Sequence, residues 1–278
     1  MLSKTTAFAN KWTACPKSEA DLTKKSFFST ATRRDTDLET QGPPSNSQKV
    51  PKLRAKHRIG PHDPGPLSVL FGSLLGDCHM ERRSNKKSVR FSIQQENSNV
   101  EYLMWLHKYL ASRGYCSPQK PKLYTRIGKH GKIRFYYRLN TYSFANLNWF
   151  YELFYGPLAS PMEETSLSEG GAKQKPKAIP ADKALETFLT PLALAVWFMD
   201  DGGKVSAGAK FATNCFRFED LQRVRAVLWK KYQLECTIHS AGYENQYTLY
   251  IKKKSMPLFS KIVKKHMVQS MHYKLNGF

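Results

Sequence analysis

The sequence predicts an α+β fold built twice, as two pseudo-symmetric copies of an αββαββα unit. Three observations predict it. Helical and strand periodicities follow one another in the same order over residues 61–156 and 184–278. Individual residues recur at a fixed offset: Glu101-Tyr102-Leu103 stands 118 positions before Glu219-Asp220-Leu221, and Leu110 stands 118 before Leu228. The first helix of each copy ends in an acid, Asp77 and Asp201. Self-similarity at one offset is the mark of an internal duplication.

The elements of the first copy follow from local chemistry. Pro64 or Pro66 opens a helix that runs through 67–76 and stops near Asp77, since proline fits a first helical turn. Val89, Phe91 and Ile93 alternate with polar residues, which predicts a strand over 88–94. Leu103, Leu106 and Leu110 share one face of a helix over 102–112, and Gly114 ends it. Residues 123–127 and 133–139 form a hairpin across 128–131, and a helix over 144–155 closes the copy. In the second copy Thr190-Pro191 opens a helix over 192–199, ended by Asp200-Asp201-Gly202-Gly203. A strand over 210–215, a helix over 219–232, strands over 236–239 and 247–251 and a helix over 256–267 complete it. Residues 157–183, rich in Pro, Gly, Ser and Lys, link the copies.

Charge narrows the function. The 278 residues carry 44 Lys/Arg against 22 Asp/Glu, a net of +22, with an isoelectric point near 9.8. A polyanion is the natural partner, because neutralised phosphates release condensed counterions. Residues 1–60 contribute 12 basic and 5 acidic residues, so +15 resides in the remainder. The first 60 residues read as an organelle transit peptide and disordered linker, mitochondrial before plastid. They begin basic, hydroxyl-rich and acid-poor up to Ser18, continue through Ser26-Phe27-Phe28-Ser29-Thr30-Ala31-Thr32-Arg33-Arg34, and reach Gly42-Pro43-Pro44-Ser45. An uncleaved basic arm fits the same residues. The longest apolar run, from Leu192 to Met199, is far short of the ~20 residues of a membrane span. Cys15, Cys78, Cys116, Cys215 and Cys236 form no zinc-ligand spacing and no disulfide framework.

The residues that can carry chemistry lie where the two first helices end. Gly72 and Gly76 are four apart on one helix face and permit close backbone approach, with Ala195 and Met199 on the corresponding face of the other helix. Side-by-side packing of these helices brings Asp77 and Asp201 together. Two carboxylates there repel unless a cation joins them, and oxygen ligands with room for water suit Mg²⁺ or another divalent cation. Taken singly, Asp77 is also an ordinary helix-end acid and Asp200-Asp201-Gly202-Gly203 an ordinary turn.

The stretches Leu70-Phe71-Gly72-Ser73-Leu74-Leu75-Gly76-Asp77 and Leu194-Ala195-Val196-Trp197-Phe198-Met199-Asp200-Asp201-Gly202 resemble the two motifs of a single-chain LAGLIDADG homing endonuclease or maturase. Phe188-Leu189-Thr190-Pro191, Phe218-Glu219-Asp220-Leu221, Tyr232-Gln233-Leu234-Glu235-Cys236 and Met271-His272-Tyr273-Lys274-Leu275 extend the resemblance over about residues 64–276. They point to the branch containing the omega-intron endonuclease of yeast mitochondria. The resemblance implies a saddle of two antiparallel sheets in the DNA major groove, with the motif helices between the halves. It implies that Asp77 and Asp201 are catalytic acids binding the metal, and that Lys177 stands near the water nucleophile. Cys78 departs from the usual glycine. The basic residue symmetric with Lys177 is expected at Gln246, which would weaken one of two active sites.

Candidate nucleic-acid contacts are Arg82, Arg83, Lys86, Lys87 and Arg90 after the first motif. Arg126, Lys129, Lys132, Arg134 and Arg138 follow on the hairpin among Tyr124, Phe135, Tyr136 and Tyr137, and Lys210 lies in the second copy. The implied activity is Mg²⁺-dependent, site-specific cleavage of double-stranded DNA at a long recognition site, by a monomer, since both halves are in one chain. The alternative is a host-recruited splicing factor that binds organellar intron RNA without cutting DNA.

Overall fold

The computed structural model describes residues 53–58, 62–82, 87–128, 131–156, 177–275 and 277–278. The expected transit peptide, most of the linker between the copies, and Arg83, Lys86 and Lys129 lie outside the described residues.

The first copy runs α1 (Pro64–Leu75), β1 (His79–Arg82), β2 (Val89–Glu96), α2 (Val100–Ala111), β3 (Leu123–Ile127), β4 (Ile133–Asn140) and α3 (Asn148–Tyr155). A short helix, α4 (Asp182–Phe188), precedes the second copy. That copy runs α5 (Pro191–Asp201), β5 (Gly202–Val205), β6 (Gly208–Ala212), α6 (Phe218–Tyr232), β7 (Cys236–Ser240), β8 (Tyr247–Ile251) and α7 (Met256–Val263). The order αββαββα thus occurs twice. Each copy makes one antiparallel sheet, ordered β1-β2-β4-β3 and β5-β6-β8-β7.

The motif helices occupy the centre. Residues 66 and 68–75 of α1 and residues 193–199 of α5 are all buried, so neither helix keeps a polar face. Pro64 and Pro191 start them, and the Thr190 hydroxyl accepts from the Ala193 amide at 3.1 Å as an N-cap. A Cβ built on Gly72 would lie 2.3 Å from the Ala193 carbonyl oxygen, so glycine is what lets the two backbones touch. A Cβ on Gly76 would lie 2.5 Å from the Asp200 Cβ. The contact face of α5 therefore includes Ala193 and Asp200, seven residues apart. This corrects the expected partner: Ala195 is buried, but it lies two residues on from Ala193 and roughly 200° further round the helix.

Aromatic rings tie each sheet to its helix. Phe198 of α5 meets Phe211 of β6 and Phe259 of α7 edge-on, with ring centres 5.3 and 4.9 Å apart. Phe91 of β2 does the same with Phe150 of α3 at 5.8 Å, and Phe71 of α1 meets Phe154 of α3 at 5.4 Å. One face of each sheet is thus covered by helices.

Two strands were not named from the sequence. β1 is polar at three of four positions, and β5 starts in Gly202-Gly203, which read as the end of a turn. Both are edge strands whose pairing with β2 and β6 is a tertiary event without a local pattern. Phe144, expected inside a helix, instead bridges Val89, and α3 starts at Asn148. Residues 264–266 continue α7 as a 3₁₀ turn.

Candidate functional site

Asp77 follows Gly76, the C-cap of α1, and Asp201 is the last residue of α5, so the paired helices deliver both acids to the same end of the interface. Asp201 is partly buried, and its carboxyl is pushed up to about 7 by burial first and by the Asp77 charge second. Lys177 and Lys274 oppose that rise. Asp200 is driven well above the usual carboxylate range by burial, with Asp77 and Asp201 adding to it. Three acids therefore crowd one place.

A layer of polar side chains holds them. The Gln95 amide donates to Asp77 Oδ2 at 2.6 Å and to Asp200 Oδ1 at 3.2 Å, so one side chain from β2 spans both copies. Asn99 donates to the Gln95 carbonyl at 3.0 Å, which fixes which way the amide faces. Gln95 and Asn99 were missed from sequence. Their only signal is a polar Gln95 at an inward position of a strand whose other inward residues, Val89, Phe91 and Ile93, are apolar.

Each helix end also carries a lysine. The Lys177 ammonium donates to the carbonyls of Leu74, Gly76 and Cys78 at 3.0, 2.5 and 3.0 Å. Lys274 donates to the carbonyls of Met199 and Asp200 at 2.5 and 3.4 Å. Both put a cation where helix dipoles end and acids gather. The counterpart of Lys177 is therefore Lys274 and not Gln246. Gln246 accepts instead from the Asn214 amide at 3.0 Å, in a turn beside β8. Gln246 therefore gives no ground for expecting a weakened second site. Lys274 lies within Met271-His272-Tyr273-Lys274-Leu275, far in sequence from the helix it caps, which is why spacing did not find it. Cys78 is fully buried and burial pushes its thiol up, so the departure from glycine adds no thiolate.

Among the described residues no cluster of three or more His, Cys, Asp or Glu side chains forms a ready-made metal site. What is present is Asp77 beside Asp201, whose proton affinity is raised by burial first and by the Asp77 charge second. Such a donor set suits a hard cation that keeps water and takes its remaining ligands from a phosphate. A cavity of about 440 Å³ opens beside Asp77, lined also by His79, Gln94, Gln95, Glu96, Asn99, Arg126 and Tyr136.

The faces of the sheets turned away from the helices carry the remaining candidates. On the first, Arg90 pairs with Glu81, with Nε 2.7 Å from Oε2. Arg126 and Arg134 both bind Glu96 Oε1, at 3.3 and 3.0 Å. Arg138 lies over the rings of Tyr124 and Tyr136, 5.6 and 5.9 Å from their centres. Lys132 is exposed at the hairpin, and Lys87 at the turn before β2. Lys210 is exposed on the second sheet. Arg82 is a correction. It pairs in register with inward Val89, binds Glu152 and lies 4.1 Å over the Tyr151 ring, so it is spent on α3.

A family model described as the LAGLIDADG DNA endonuclease family matches residues 67–259. Cytochrome b mRNA maturase bI2 of Saccharomyces cerevisiae is 40% identical over 234 residues, covering 84% of this chain and 52% of that protein. The protein of the same name in Debaryomyces hansenii is 38% identical over 218 residues, covering 78% and 76%. Intron-encoded endonuclease ai4 of Dictyostelium discoideum is 32% identical over 173 residues, covering 61% and 98%. The chain spans about half the length of the S. cerevisiae relative. Among solved structures, homing endonuclease I-WcaI bound to its DNA recognition sequence matches with a TM-score of 0.63 at 22% identity. That match covers 80% of this chain and 90% of the other, and is a likeness of fold.

Proposed function

The chain belongs to the LAGLIDADG DNA endonuclease family, and from that premise we propose that it hydrolyses both strands of double-stranded DNA at one long recognition site. The observation that carries this reading is the doubled arrangement at the helix ends: an acid and a lysine in each copy, Asp77 with Lys177 and Asp201 with Lys274. One strand is then served by each pair.

Asp77 and Asp201 would hold Mg²⁺ or another divalent cation. When bound, such a cation polarises a phosphodiester and makes its water a better nucleophile. The chain's own residues do the rest. Gln95 fixes the rotamer of Asp77 and leaves its other oxygen to a ligand. Lys177 and Lys274 are held by backbone carbonyls within reach of the acids, where they offset negative charge gathering on a phosphate in the transition state. The open sheet faces position the duplex, since a major groove admits a β-ribbon.

The test is cleavage of a randomised duplex library by the full chain with Mg²⁺. We expect one enriched cut site, lost in Asp77→Asn/Asp201→Asn while binding to the same site persists. Cleavage that survives in the double variant removes these acids from the mechanism.

A second reading has its own support. Two relatives, from S. cerevisiae and D. hansenii, at 40% and 38% identity, are named maturases. On that reading the chain binds an intron RNA and assists its splicing. RNA binding retained by the acid variant, together with no cleavage of any duplex by the unaltered chain, favours it. The basic, acid-poor N-terminal stretch supports a mitochondrial location for either role.

A further inference from the structure

The register of the strands defines what each open face offers. In the first sheet, Glu81 opposes Arg90 and His79 opposes Ser92. Gln94 opposes Arg138, Glu96 opposes Tyr136, and Arg126 opposes Arg134. This face holds four arginines and two glutamates. In the second sheet, Gly203 opposes Lys210, Val205 opposes Gly208 and Ala212 opposes Thr248. Lys210 opposes Tyr250, which opposes Thr237, and Thr248 opposes His239. Among the described residues, these strand positions include no arginine and no acid.

Base edges distinguish these two chemistries. A guanidinium fork fits O6 and N7 of guanine, and a carboxylate accepts from N4 of cytosine. The methyl groups of Thr and Ala contact the methyl of thymine. Gln94 on the first face and Lys210 on the second are the two positions that run against this contrast, since Gln suits adenine and Lys guanine. The glutamates sharpen the contrast. Glu96 holds two guanidinia and Glu81 one, so Arg126, Arg134 and Arg90 are oriented before any ligand arrives. A guanidinium already neutralised by a carboxylate is a poor phosphate anchor but keeps free N–H groups for a base edge.

We infer that the recognition site is lopsided in composition: the half under the first sheet is rich in G·C pairs, and the half under the second is rich in A·T pairs. The inference rests on the endonuclease reading and names the class of sequence that site takes.

The test is a binding selection from a randomised duplex library with full-length Asp77→Asn/Asp201→Asn protein, repeated with Arg134→Ala and Arg138→Ala added singly. The expected site has one G·C-rich and one A·T-rich half. Each arginine variant relaxes the preference for guanine roughly tenfold at one position of the G·C-rich half. Its preferences in the other half stay unchanged, which also shows that it is folded. Equal composition in the two halves overturns the inference, and so does relaxation that falls in the A·T-rich half. In those cases the endonuclease reading stands. Failure to select any site removes that reading, and this inference with it.

Discussion

Asp201 holds its proton up to about pH 7, whereas an unfolded aspartate releases it near 3.8. Between those values the folded chain binds more protons than the unfolded one, so this group lowers stability as pH rises. The shift is worth roughly 2–4 kcal/mol above pH 7. Asp201→Asn should therefore be more stable than the unaltered chain at pH 8 without divalent cation, and about equal at pH 4. Mg²⁺ should close the gap by stabilising only the unaltered chain. Urea unfolding across pH measures this, and parallel curves for the two proteins would contradict it. The same scale decides between the two candidates for the second basic residue. Lys274→Met and Lys177→Met should each slow cleavage of one strand by about 10²-fold or more and leave nicked product. Gln246→Ala should cleave normally. The acids were legible because each sits at the end of an apolar run. Lys274 was not, because the chain must fold before residue 274 meets residue 199.

Helices α1 and α5 were the most legible elements, since an apolar run behind a proline has few other readings. Their contact was only half legible. Gly72 was found, but its opposite number is Ala193, set by the rotation of α5 and not by spacing. Gly72→Ala should cost roughly 1–3 kcal/mol by overpacking against a backbone carbonyl that cannot retreat. Gly203→Ala, where a Cβ meets nothing within 4 Å, should cost far less. Chemical denaturation of both variants compares them. Strands β1 and β5 escaped because pairing, and not pattern, makes an edge strand. Arg82 was misread for a related reason: in a strand, one residue of offset moves a side chain to the opposite face.

At the scale of the molecule, each motif helix is apolar on every side, so neither copy can bury its own. Residues 61–156 expressed alone should aggregate, and co-expression with 177–278 should restore a soluble complex. Sedimentation of the separate and combined fragments tests it. A soluble 61–156 fragment with native-like helix content would show that α1 finds another cover. The duplication itself was plain in the sequence. The unequal chemistry of the two open faces was not, because it depends on register across four strands.

Gly76 and Asp200 hold the same place in the two copies, one residue before Asp77 and Asp201, and they meet. Two first copies brought together would set glycine against glycine and leave a hole. Two second copies would set one aspartate against another, with both bulk and charge in the way. The halves are lock and key to each other at this one pair of positions.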